Sequence, residues 1–423
     1  MFAGYLVLFA WLVTKVKFFT NSGLTPAQLI IFFLLKVMAG IFYGWIGVYY
    51  GELAKMVDTW AYHYESLKEY QLLLQQPSEF FGSLFRSSYE GGYSGFLNTQ
   101  NSWWNDLKAN SFLKILAFFN VLSFGNYYVN VIFYSFISLF GPVAIYRIMK
   151  EVFPSKKVTV LLATFLIPSF LYWTSGIHKD GIIFLGFALV VYHIYFGLKE
   201  NKFRWHRLFF ISLGLVLVLA LRNFLILIFI PALIAWILSN KLRYKPILVF
   251  SLVYLFFVIL FFTAKYIHPA LDFPQAVTER QQAFLGLNGN SAVEVRLLEP
   301  SFKGFVINAP QALSLSSLRP YPSDVKHLLS MAAALEIGSL LLLFVVFLAW
   351  RKNGKPLNPF LLFCIFFSFS VLIMIGYTVN FLGAIVRYRS IVLPFLIIPM
   401  MANIDWDKIK YLLSKYILKN NNI

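Results

Sequence analysis

His178, Lys179 and Asp180 stand in a row in the stretch LYWTSGIHKDGIIF, between two apolar runs. Groups of the same kind recur elsewhere. Asp58, His63 and Glu65 lie in VDTWAYHYES, Arg222 divides LVLVLAL from FLILIFI, Arg319 lies in SLRPYPSD, and Arg387 and Arg389 lie in VRYRSIVLPFL. Arginine offers a carboxylate or phosphate two parallel donors and lysine offers a point charge. A carboxylate beside them serves as a general base. Together these residue types suit attack on a phosphate-linked substrate, with Asp58 as the candidate catalytic base and the others as candidate binding groups. Asp58, Tyr62 and Glu65 share one helical face at i, i+4 and i+7.

Each residue also has a plainer reading. Asp58 and Asp180 suit the caps of the helices that follow them, and Gly176 and Gly181 suit a tight turn around the charged triplet. Such a turn would let the charges reach water or headgroups. Arg222 can snorkel, and Arg387 and Arg389 can meet phospholipid headgroups. Lys36 and Glu336 fall inside apolar runs, where an ion pair with each other is the default. Asp58, Glu65 and Asp180 permit a divalent ion, although their spacing does not require one.

The elements that must position these groups are apolar helices. Of 423 residues, 59% are hydrophobic and 13% charged, with a mean hydropathy of +0.71. A soluble domain carries about twice that charged fraction. Runs near the length of a bilayer crossing lie at about 1–14, 27–50, 127–146, 158–174, 181–198, 208–221, 223–239, 246–264, 331–350, 357–376 and 390–403, giving about 10–11 spans. The first is short and closely followed by Lys15 and Lys17, so it suits the interface as well as a crossing. Arg222 and Asn223 stand between two short helices of about 14 residues each, and Arg387 and Arg389 stand just outside the last span. The expected fold is an all-α polytopic bundle forming one membrane domain over 1–423. Its two large loops, 51–126 and 265–330, are expected to carry amphipathic helices.

Charge distribution orients the bundle. Alternate connections around Lys15, Arg147–Lys157, Lys199–Arg207, Lys241–Lys245, Arg351–Lys355 and the C-terminal tail are strongly basic, while the others are nearly balanced. The positive-inside rule puts the basic set, with the C-terminus, in the cytoplasm of a bacterial-type inner membrane. The net charge of +18 is thus a topology signal and not a nucleic-acid signal. Asp58, the His178–Asp180 triplet, Arg222, Arg319 and Arg387 then fall at the outer boundary. Cys364 is the single cysteine, which rules out an intrachain disulfide. There is no Walker loop, dinucleotide fingerprint or HExxH.

The carboxylate opening the first large loop in VDTWAYHY, the amphipathic stretches after it and RYRSIVLPFLIIP near the end resemble the GT-C class of polyprenyl-phosphate-dependent glycosyltransferases. PSFLYWTSGIHKDGIIF is similar to segments of bacterial membrane proteins grouped loosely with them. The resemblance covers the overall plan and some fifty residues of motif. Two features depart from the family. The carboxylate follows the second hydrophobic segment where the family has it after the first, and Glu65 is seven residues from Asp58 instead of adjacent.

The resemblance implies a GT-C fold, with Asp58 deprotonating an acceptor and Lys179, Arg222, Arg387 and Arg389 holding a lipid phosphate. The donor would be a lipid-linked sugar and the acceptor a glycan, lipid or protein of the cell envelope. A polysaccharide polymerase of the O-antigen or EpsG-like kind, and a transporter or flippase of an anionic lipid-linked substrate, are the rival expectations.

Overall fold

The computed structural model describes residues 1–50, 58–86, 91–93, 102–352 and 358–420. The head of the first large loop, 51–57, and Lys355 lie outside these. Among the described residues the chain is helical, with two isolated bridges, Ala292–Phe381 and Arg351–Ile404, in place of any sheet.

The helices are α1 Phe2–Leu12, α2 Lys17–Thr20, α3 Pro26–Tyr49, α4 Asp58–Gln75, α5 Pro77–Gly82, α6 Trp103–Ser123, α7 Tyr127–Val152, α8 Lys157–Phe165, α9 Pro168–Ser175 and α10 Lys179–Lys199. They continue as α11 Trp205–Arg222, α12 Phe224–Lys241, α13 Pro246–Thr263, α14 Phe273–Leu285, α15 Phe302–Leu318, α16 Leu328–Trp350, α17 Pro359–Thr378, α18 Leu382–Ser390, α19 Leu393–Asn403 and α20 Trp406–Asn420. Local chemistry sets their starts. Thr25 and Gln28 form a capping box on α3, and Asn126 and Asn358 cap α7 and α17.

Among the described residues eight helices are long and apolar enough to cross a bilayer, or up to ten if each of two bent pairs counts as one span. This is an integral membrane protein. α1, with 11 residues, is short of a crossing. The expected span 158–174 is not one helix: α8 and α9 meet at 54°. Pro168 holds Ile167 in extended backbone and has no N–H to continue the helix. Arg387 and Arg389 lie on a helix of their own, α18, which meets α19 at 64°. Arg222 and Asn223 separate helices of 18 residues each, longer than the expected 14.

α7 and α10 are the most enclosed spans, and α13 and α16 the most exposed. α10 lies against α11 at a glycine contact. A Cβ at Gly186 would stand 2.9 Å from the Gly214 carbonyl oxygen, and one at Gly214 would stand 2.6 Å from that of Gly186. Such close approach is a usual way for membrane helices to gain contact. Amphipathic helices occupy both large loops. α4 packs along α6 in the first, and α14 and α15 pack on α17 in the second, where the Tyr377 hydroxyl donates to the Phe305 carbonyl at 2.8 Å.

Candidate functional site

Four separate segments deliver charge to one point. α10 begins at Lys179 with His178 as its N-cap residue, so Asp180 sits in its first turn. Arg222 ends the neighbouring α11, Arg387 lies on α18 and Asp58 opens α4. Asp180 is the hub. Its Oδ2 accepts from Arg387 Nε at 2.7 Å and stands 2.9 Å from His178 Nδ1, while its Oδ1 faces Arg222 Nη2 at 2.9 Å. Arg387 Nη1 donates to Asp58 Oδ2 at 3.0 Å, and its Nη2 lies 2.9 Å from His178 Nδ1 and also against Nε2. His178 Nε2 is 3.5 Å from Asp58 Oδ2.

Burial divides this knot into an interior and one open face. The side chains of Asp180 and His178 are 0% exposed, while that of Asp58 is 55% exposed. His178 and Asp180 therefore do not reach water or headgroups, contrary to expectation. Asp180 makes no cap either: Oδ2 is taken by Arg387 and His178, while Oδ1 faces Arg222 as an ion pair without a hydrogen bond. Gly176 lies in the short bend between α9 and α10, Gly181 lies inside α10, and both allow close approach. A Cβ on Gly176 would stand 2.3 Å from the Tyr43 ring, and one on Gly181 2.4 Å from the Tyr134 hydroxyl. That hydroxyl donates to the His178 carbonyl.

Aromatic rings wall the knot. The Arg222 guanidinium lies 4.2 Å over Tyr388, and Arg387 lies 5.6 Å over Trp173. Tyr62 meets the His178 ring edge-on at 5.3 Å, and Lys179 Nζ sits 5.1 Å over the same tyrosine. Such contacts favour a cation most where water is excluded.

Among the described residues of the knot the charges of two aspartates and two arginines cancel, and Lys179 stands beside them. Hydrogen bonding from His178, helped by the charges of His178 and Arg387, holds the Asp58 carboxyl well below the usual carboxylate range despite partial desolvation. Burial, with the negative charge of Asp58 adding to it, pushes the Tyr62 phenol up to about 12. Arg222 Nη1 is buried with no hydrogen-bond partner among the described residues, a donor suited to an added anion.

Four of the predicted site residues fall elsewhere. His63 is buried against Trp60 and Tyr127, with Nδ1 unpartnered among the described residues. Burial lowers its imidazole to about 4. Glu65 is exposed and pairs with Lys68 at 2.7 Å, so of the expected face only Asp58 and Tyr62 reach the knot. Arg319 faces Asp324 at 3.8 Å. Arg389 is buried but donates to the carbonyls of Ser316 and Arg319 at the end of α15. Two residues on from Arg387, it points to the opposite side of α18. Asp58, Glu65 and Asp180 thus do not converge as the divalent-ion reading needs. No group of three or more metal-ligating side chains occurs among the described residues.

Lys36 and Glu336 do not pair with each other. Lys36 donates to Thr174 and Ser175, and Glu336 accepts from Ser169. Tyr43, Tyr134, Trp173 and Tyr388 were not anticipated around the knot. Only Tyr388, between two arginines, carries a local signal. No protein-family model, curated protein or solved structure matches this chain.

Proposed function

We propose that this protein is a membrane glycosyltransferase that transfers a sugar from a polyprenyl-phosphate carrier, in the manner of the GT-C class. The observation supporting this is the knot itself. Residues up to 329 positions apart meet at one end of a bundle of lipid-crossing helices, with the Asp58 carboxylate open to an incoming group. Asp58 accepts the proton of an acceptor hydroxyl as that oxygen attacks the anomeric carbon. The bond from that carbon to the phosphate oxygen breaks, and the electron pair leaves with the polyprenyl phosphate. Arg222 and Lys179 receive the phosphate charge, and buried Asp180 and His178 keep Arg387 and Asp58 in register. A lipid-linked donor brings its own leaving group, so no nucleotide fold is required.

The basic connections lie at the other end of the bundle, which favours an extracytoplasmic site, a cytoplasmic C-terminus and a bacterial-type inner membrane. A transporter would line a mid-membrane path with ionisable groups. Here Lys36 and Glu336, the deep charges, are bound to the ends of α9 instead.

The test supplies purified protein with a polyprenyl-phosphate sugar and an envelope glycan or lipid acceptor, and measures released polyprenyl phosphate. Transfer is expected, with Arg222→Ala and Lys179→Ala weakening donor binding more than they slow the bound complex. Unchanged donor affinity in both variants rejects the phosphate role. Transfer of preassembled oligosaccharide units only would favour a polymerase, and movement of the intact donor across vesicles without transfer would favour a flippase.

A further inference from the structure

α9 is the eight-residue arm that leads through Gly176 and Ile177 into His178. A helix of this length does not sustain itself, and it is cut off from α8 by the break at Pro168. Each of its ends is held by a charge from a different span. At the start, Glu336 of α16 accepts from the Ser169 amide at 3.3 and 3.2 Å and from its hydroxyl at 2.9 Å. At the finish, Lys36 of α3 is 3% exposed and donates to the Thr174 carbonyl at 3.0 Å, the Thr174 hydroxyl at 3.3 Å and the Ser175 hydroxyl at 3.2 Å. The anion thus meets the positive end of the helix dipole and the cation its negative end. One turn on from Lys36, a Cβ at Gly40 would stand 2.5 Å from the Ser175 carbonyl oxygen, so α3 bears directly on that end. Trp173, which faces Arg387, rides on the same arm.

We infer that Lys36 and Glu336 are positioning residues, acting as a pair through α9 to set His178 and Trp173 against Arg387. Charges deep in a membrane are expensive and usually tied to function. Here each charge is compensated by one end of the short helix that leads into the knot. The inference concerns placement and does not require the chemistry proposed above.

Ring-labelled histidine tests it by NMR on the full chain in lipid nanodiscs. The chain has six histidines, and the His178 signals are assigned by their loss in His178→Gln. Lys36→Met and Glu336→Gln are each expected to shift the His178 ring signals, with His193 and His206 at the far end of α10 and the start of α11 unchanged. Lys36→Arg should return the His178 signals toward their original positions. The double variant should shift them no further than the larger single, since one helix relays both. His178 signals at wild-type positions in both folded single variants would overturn the inference, as would equal movement of His193 and His206. Where Lys36→Met does not accumulate, Glu336→Gln carries the comparison, because it removes the charge and one of the two acceptor oxygens facing Ser169 while its carboxamide oxygen keeps the protein folded. His178 signals at wild-type positions in it would then overturn the inference. If the transferase reading holds, kcat should fall on the order of 10²-fold with little change in KM, the cost of a small misplacement. Shifted ring signals in a protein that transfers no sugar would sink that reading and leave this one standing.

Discussion

α11 carries an arginine near each end, and both guanidiniums pair with an acid close by. At its start, Arg207 meets Glu200 at 2.6 Å, with side chains 9% and 47% exposed. At its finish, Arg222 meets Asp180 at 2.9 Å, with side chains 9% and 0% exposed. The arginines are equally enclosed, and the difference lies with the acids. Glu200 belongs to the connection leading into α11, so its pair forms whenever that connection folds. Asp180 is also claimed by Arg387 and His178, which arrive from a distant helix and from the end of a broken span. Partly exposed ion pairs contribute little to stability. A buried one strands its partner's charge when broken.

The contrast fails first, if it fails, at Asp180. Asp180→Asn removes the charge shared by Arg222 and Arg387, and breaking a buried pair costs about 3–5 kcal/mol. Thermal unfolding in detergent should show a large drop, and transfer should disappear with it. A drop no larger than that of Glu200→Gln would erase the distinction between the two ends.

Asp58→Asn should separate stability from chemistry. Turnover should fall about 10²–10⁴-fold, the range for a lost general base, with a smaller drop in melting than Asp180→Asn shows, because the ion pair with Arg387 is lost at a side chain 55% exposed. Wild-type turnover in this variant would remove Asp58 from its assigned role.

His63 sharpens the comparison from beside the knot. Its buried imidazole takes a proton near pH 4, against 6.5 for the free side chain. The unfolded chain therefore binds that proton more readily between these values. The stability tied to His63 is complete above pH 6.5 and falls by about 3 kcal/mol as the pH drops to 4. Asp58, whose carboxyl is held low, loses its contribution only below about pH 4. Melting curves from pH 7 to 4.5 should flatten in His63→Phe, and an unchanged slope would assign the acid sensitivity elsewhere.

Glu200→Gln closes the series. A half-exposed partner predicts a change of about 1 kcal/mol or less in stability, and transfer at the wild-type rate.

The spans were legible because apolar runs of crossing length have few other uses. The shared end of Asp58, His178, Asp180, Arg222 and Arg387 was legible because alternating connections put all of them on one side. What stayed hidden depends on direction within an element. Arg387 and Arg389 look equivalent in RYRS, yet positions two apart on a helix face opposite ways, and only one reaches the knot. The run VTVLLATFLIPSFLYW reads as one continuous span, because Pro168 interrupts the backbone without interrupting the apolarity. Lys36 and Glu336 suggested each other as partners by charge. Their actual partners are backbone groups and hydroxyls at the ends of α9, which carry no charge to be read from a sequence.

The touching backbones of Gly186 and Gly214 make a fulcrum about two turns below the Asp180–Arg222 contact. A single methyl there, as in Gly186→Ala, has no vacant space to enter, so the two helices must move apart. Leverage along α10 and α11 then prises the charges at their tips away from each other, and a residue with no functional group comes to govern a site it never meets.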